Sequence, residues 1–282
     1  MALNINKTQP KAKAQKSLSL TSSAELPFWA AFRMAVIAPP GEGKTHLCTT
    51  ASAKMESGVL DDIVIVQTDP LGLAGIYEQG IEVPRVIDLS GYTDEEMNGV
   101  FGKLPGFLAE EVAKAPTMAV CLDTASVLLG AVCVTEVAKQ DGPKAYNEFA
   151  RRIRNFYSKL RAVPVPVVAT MHVRPPRVIM DNKGTFVADS ATAAGIKAGS
   201  LTMDIEGNKG ANVIRGQNTL TARLQREDMP GGKTKWSLKF DSSKDETKTR
   251  FTKCLDKVEP ADLSLLFKKI AEGCNQPLPG AK

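Results

Sequence analysis

A chain of 282 residues, 43% hydrophobic and 24% charged, can bury one full-sized core with at most a small appended unit. No apolar run approaches the ~18–20 residues of a membrane span, and the N-terminus has no signal-like apolar segment. The net charge of +5 is uneven: +3 over residues 1–25, +6 over 207–257, zero over 258–282 and −4 over 26–206, so basic segments flank an acidic block. Such flanks suit a polyanion or simply a solvated surface. The five cysteines form no C-x-x-C pair, which fits reduced thiols in a cytoplasmic protein better than a disulfide frame or a zinc site.

Residues 1–24 are Lys/Ser/Thr/Gln-rich without periodicity and read as a disordered basic arm. Apolar runs then alternate with amphipathic stretches, the signature of a parallel sheet with crossover helices. The expected strands are 33–38, 63–68, 85–89, 118–122 and 165–172. The expected helices are 44–55, 93–113, 126–139 and 143–162. The last is clearest, because Tyr146, Phe149, Ile153, Phe156 and Leu160 recur at helical spacing behind Pro143. After residue 172 the pattern changes to two hairpins, 177–188 around Asp181–Gly184 and 219–240 around Met229–Gly232, separated by a Gly/Ala/Ser-rich stretch. A final helix at 261–272 would pack Leu263, Leu266 and Ile270. The organisation expected is therefore an arm (1–24), a core (25–258), and a C-terminal helix and tail (259–282).

The segment Ala38-Pro39-Pro40-Gly41-Glu42-Gly43-Lys44-Thr45 follows an apolar strand and opens a helix, the context in which a phosphate-binding loop is meaningful. Gly41 and Gly43 let backbone N–H groups curl round phosphate oxygens, and the helix start adds its positive dipole end. Pro40, Gly41, Glu42, Gly43, Lys44, Thr45 and His46 are the candidate nucleotide-binding residues, with Lys44 on the β/γ-phosphates and Thr45 on Mg²⁺. The loop's first position, ordinarily Gly, is Ala38, which closes the loop without touching phosphate. The strand 118–122 ends in Asp123, a carboxylate placed to hold Mg²⁺ through water. Asp69, ending the strand 63–68, either orients the attacking water or merely begins a turn at Pro70. Asp69-Pro70-Leu71-Gly72 also fits the D-x-x-G of GTPases, but no N-K-x-D accompanies it, so ATP is favoured over GTP. Thr170 and His172, polar groups ending an apolar strand, are candidates to sense a γ-phosphate; a structural role is the alternative for His172.

These residues resemble the RecA-core ATPases, most of all the small phage-encoded members grouped with single-strand annealing recombinases. The resemblance rests on Ala38–Thr45, Cys121-Leu122-Asp123-Thr124-Ala125-Ser126 and Val167-Val168-Ala169-Thr170-Met171-His172, and continues through Lys248-Thr249-Arg250. It implies an α/β, RecA-like P-loop NTPase with a mainly parallel sheet, flanking helices and C-terminal β-hairpins. It further implies ATP and Mg²⁺ as cofactors, homo-oligomers, and single-stranded DNA as partner in phage recombination or replication, in the host cytoplasm without a membrane. Such proteins usually carry Glu where Asp69 stands, so fast hydrolysis is less expected here. Arg250, with Lys248, follows a hairpin and can project, either as a cation acting on a neighbouring subunit's nucleotide or as a solvated surface charge. Three other readings stay open: a P-loop kinase, a helicase-loader or packaging motor, and a nucleotide-gated interaction protein with little turnover.

Overall fold

β1 (Arg33–Ile37) is buried at every position and lies in the middle of a nine-stranded sheet. The computed structural model describes residues 28–139, 142–174, 178–180, 186–188, 202–204, 208–240 and 247–280. The expected arm 1–24 and the turn 181–184 lie outside the described residues.

In chain order, β1 follows a short α1 (Phe28–Ala31) and leads to α2 (Lys44–Thr49), β2 (Ile63–Gln67), α3 (Ala74–Tyr77) and β3 (Val86–Asp88). Then come α4 (Asp94–Phe101), α5 (Leu104–Lys114), β4 (Ala119–Asp123), α6 (Ala125–Lys139), α7 (Pro143–Leu160) and β5 (Val167–Met171). Small strands follow: β6 (Val173–Arg174), paired with β9 (Thr202–Met203), and β7 (Val178–Met180), paired with β8 (Phe186–Ala188). The chain closes with α8 (Asn208–Gln217), β10 (Leu220–Met229), β11 (Lys233–Lys239), β12 (Lys248–Thr249), β13 (Val258–Pro260) and α9 (Leu263–Cys274).

The sheet order is β13-β11-β10-β1-β5-β4-β2-β3, with β12 also on β10. The stretch from β10 to β3 is parallel, and β11, β12 and β13 add antiparallel edges. This is a RecA-like P-loop α/β fold, in which β5 is inserted between the loop-bearing β1 and the carboxylate-bearing β4. The chain leaves β1 to one side for β2 and returns through β4 and β5, so a crevice opens at the carboxyl ends of these strands.

Strand side chains alternate between faces, and both faces are covered, so the strands read as continuous apolar runs. Ala35, Ile37, Val64, Val66, Val120 and Leu122 join one core cluster with α4 to α8. Met34, Val36, Ile63, Ile65, Ala119 and Cys121 join the other with α1 to α3 and α9. The periodic face of α7 packs as expected: Phe149, Ile153, Phe156 and Leu160 are buried, and Phe156 stacks on Phe101 with ring centroids 4.3 Å apart.

Three expectations need correction. The helix expected over 93–113 is two helices, because Gly102 and Pro105 break the ladder and restart it: Pro105, lacking an N–H, sits in the first turn of α5. The helix after the phosphate loop stops at Thr49 instead of 55, and a short 3-10 turn follows at Met55–Ser57. The polar stretch before residue 217 contains α8, whose Ile214 is fully buried. Both hairpins form, the second turning through Gly231 and Gly232 at φ +83° and +73°. None of the described helices is long and apolar enough to cross a membrane, and the five cysteines are free thiols.

Candidate functional site

The loop between β1 and α2 leaves the sheet at Ala38, whose N–H donates to Met171 O of the adjacent β5 at 3.1 Å. Gly41 and Gly43 take φ of +77° and +72°, a region where a Cβ costs about 1–2 kcal/mol. Gly43 is the residue immediately before α2, the left-handed turn through which the loop enters the helix. At Gly43 a second constraint acts, since an added Cβ would lie 3.1 Å from Cη2 of Trp236 on β11. The hairpin indole is thus packed against the back of the phosphate loop, with the Arg226 guanidinium 5.7 Å from its ring centroid. Trp236 is half-buried by this contact.

Lys44 is buried, and its ammonium donates to Pro39 O at 2.7 Å and Ala38 O at 3.2 Å. Burial holds its pKa below the ordinary lysine value, opposed chiefly by the charges of Asp123 and Glu42. A desolvated cation resting on neutral carbonyls is poised for an anion that can give it full charge pairing.

Asp123 is the hub. Its Oδ2 accepts from the Thr45 hydroxyl at 2.6 Å, and its Oδ1 accepts from the Thr170 hydroxyl at 2.6 Å. Only 3% of its surface is exposed, so the two short hydrogen bonds fix the carboxylate in one orientation. Insertion of β5 between β1 and β4 explains Thr170: it stands on the strand between the two motif-bearing ones. The Asp123–Thr124 peptide is cis. Thr124 N–H donates to Thr68 Oγ1 at 3.0 Å and Thr68 N–H to Asp123 O at 2.9 Å, tying the end of β2 to the end of β4.

His172 follows β5, half-buried, with its backbone N–H donating to Ser126 Oγ at 3.0 Å. Burial, then the Lys44 charge, lowers its pKa, so the ring is neutral at neutral pH. Asp69 is exposed, and its Oδ1 accepts from Leu71 N–H at 3.0 Å, closing the turn that Pro70 begins.

A cleft of about 360 Å³ is lined by Pro40, Gly41, Gly43, Lys44, Thr45, His46, Asp69, Asp123, Thr124 and His172, among others. The fold therefore brings together nearly every residue singled out in the sequence. Glu42 is half-buried outside the lining and acts on Lys44 through its charge. Arg250 is elsewhere: it follows β12, which pairs with the first residues of β10, at the opposite end of the sheet.

Sequence reasoning did not anticipate Ser126 as the anchor of His172, nor Gln67, a buried amide in register with Asp123 whose Oε1 has no hydrogen-bond partner. Its signal was a polar residue near the end of an otherwise apolar strand. The contact of Trp236 with Gly43 had no local signal, since it joins positions almost two hundred residues apart.

No curated protein matches the chain. Among solved structures, the KaiC-like protein PH0186 of the hyperthermophilic archaeon Pyrococcus horikoshii OT3 aligns with a TM-score of 0.44 and 10% identity, over 82% of this chain and 84% of that one. The family model for the AAA domain AAA_24 matches residues 30–251, spanning every element from β1 to β12 and all of the cleft. The chain belongs to this AAA-domain family and is a P-loop NTPase.

Proposed function

We propose that the protein is a Mg²⁺-dependent ATPase of the phage recombination or replication type, acting as a homo-oligomer on single-stranded DNA. The observation that carries the nucleotide part is the hydrogen-bonded line Thr45–Asp123–Thr170 beside the Lys44 ammonium. A hydroxyl and a fixed carboxylate at hydrogen-bond distance suit an ion that keeps most of its waters and takes its other ligands from phosphate. Thr45 and Asp123 would hold the ion, which when bound supplies charge neutralisation on the phosphate oxygens. Lys44 takes the charge of the β/γ-phosphates, the loop amides cradle them, and neutral His172 offers a hydrogen bond at the cleft's end.

Charge supports the DNA part: +6 over residues 207–257, with Arg226, Lys233 and Lys235 exposed on the β10–β11 hairpin. Because Trp236 is engaged with the loop, binding should rest on phosphate contacts, with little stacking. Affinity for a labelled oligonucleotide, followed by fluorescence anisotropy, should then fall by about 0.7 log unit per contact for each log unit of salt. An ATP analogue should shift it, since the hairpin touches Gly43. Absence of binding at low salt would sink the DNA part and leave the nucleotide part standing.

One observation favours a second reading, a nucleotide-gated interaction protein with little turnover: Asp69 is already committed to its own turn. If Asp69 orients water, Asp69→Asn slows turnover about tenfold with nucleotide affinity unchanged. Unaltered turnover would assign the residue to its turn. A role for Arg250 on a neighbour's nucleotide requires a head-to-tail assembly, in which the amino end of one sheet faces the next copy's cleft. Mixing Arg250→Ala with Lys44→Ala protein should then restore part of the ATPase activity, and no recovery would remove that role.

A further inference from the structure

At the opposite end of the sheet from the nucleotide cleft, a second cavity of about 480 Å³ is bounded by α1, the end of α7, the α8–β10 connection and the residue after β12. Its charged lining is Arg33, Arg161 and Arg250, with Tyr157, Gln217 and Thr219 as the other polar groups. No carboxylate lines it among the described residues. Three cations converging on one concavity repel one another, an arrangement that costs stability unless an anion joins them.

Arg33 is the unusual member. It opens β1 and is only 3% exposed. Its Nη1 donates to Phe32 O at 2.6 Å and its Nη2 to Leu160 O, both neutral carbonyls, while Nε is buried without a hydrogen-bond partner. Among the described residues it forms no ion pair. Burial, with Arg161 nearby, brings its pKa down to about 10, so it stays charged at neutral pH. Tyr157 is also buried, and burial pushes its phenol up to about 12, so it remains a neutral donor or acceptor. Arg161 and Arg250 line the cavity from the exposed side.

We propose that this cavity is a receptor for a phosphate monoester, separate from the nucleotide cleft. Arginine's planar fork matches phosphate oxygens two at a time. A terminal monoester carries close to two charges where a backbone diester carries one, so a cavity lined by three guanidiniums favours the monoester. Two sources share this chemistry: a small free phosphate compound and the 5′-phosphate of a nucleic-acid end. The proposal does not depend on the function of the nucleotide cleft.

The test is calorimetric titration of the full chain, wild type and Lys44→Ala, with sulfate and every phosphate compound other than the probe absent, so that binding at the nucleotide cleft is told apart. The probes are inorganic phosphate, a 5′-phosphorylated trinucleotide and the same trinucleotide with a 5′-hydroxyl. Arg161→Gln and Arg250→Gln, singly and together, are surface changes whose folding is checked by thermal unfolding. Both phosphate probes should saturate, the 5′-hydroxyl probe should bind at least about tenfold more weakly, and the double variant should lose at least about tenfold in affinity for both. Inorganic phosphate binding as well as the phosphorylated trinucleotide identifies a small free ligand; a tenfold advantage of the trinucleotide identifies a nucleic-acid end. No saturation by either phosphate probe, equal affinity for the 5′-hydroxyl probe, or undiminished binding by the double variant would each overturn the proposal.

Discussion

Lys44→Ala is expected to weaken ATP binding by at least about a hundredfold, the value of a desolvated charge-assisted contact to phosphate. Stability should change little. The ammonium is buried against two loop carbonyls, so it already bears a desolvation cost that its removal relieves. The carbonyls of Ala38 and Pro39 lose a donor, but the cleft gives water access to replace it. Equilibrium binding of labelled ATP together with a thermal unfolding curve checks both halves. Wild-type affinity in the variant would mean that the loop does not receive the phosphates. Lost affinity with a collapsed melting temperature would make Lys44 a structural residue.

Asp123→Asn should hurt Mg²⁺-dependent hydrolysis more than ATP binding, cutting turnover about a hundredfold, the usual scale for removing one charge-stabilising group from a reacting centre. The amide keeps the shape and one acceptor, so the hydroxyls of Thr45 and Thr170 can rotate to satisfy it, and the line of hydrogen bonds survives. What is lost is the negative charge. A steady-state assay across a Mg²⁺ series measures it: the variant should need far more Mg²⁺ for its residual rate. Turnover and Mg²⁺ dependence matching wild type would remove Asp123 from the metal shell and leave it a purely structural hub.

Much of this site was legible in the sequence because its pieces are local. The phosphate loop declares itself through two glycines, a lysine and a threonine at fixed spacing between an apolar strand and a helix, and the structure supplies that strand and helix. Asp123 and His172 were readable for a similar reason, as polar residues closing fully buried strands. The parallel core followed from runs apolar on both faces. What stayed hidden depends on strand order. That β5 lies between β1 and β4 is not written in either strand, yet it makes Thr170 the second partner of Asp123. Likewise β10, read as half of a free hairpin, is the parallel neighbour of β1, which presses Trp236 onto Gly43 and carries Arg250 away from the cleft. The break between α4 and α5 was in plain view at Gly102 and Pro105, but the continuing apolar period masked it.

The central claim is that the cleft at the carboxyl end of β1 and β4 binds ATP together with Mg²⁺ through Lys44, Thr45 and Asp123. Calorimetric titration of the wild-type chain with a non-hydrolysable ATP analogue, with Mg²⁺ and with the ion chelated, tests it most directly. Saturable binding at one analogue per chain, tighter with Mg²⁺ than without, is the predicted result; no binding at millimolar analogue, or binding indifferent to Mg²⁺, would contradict it.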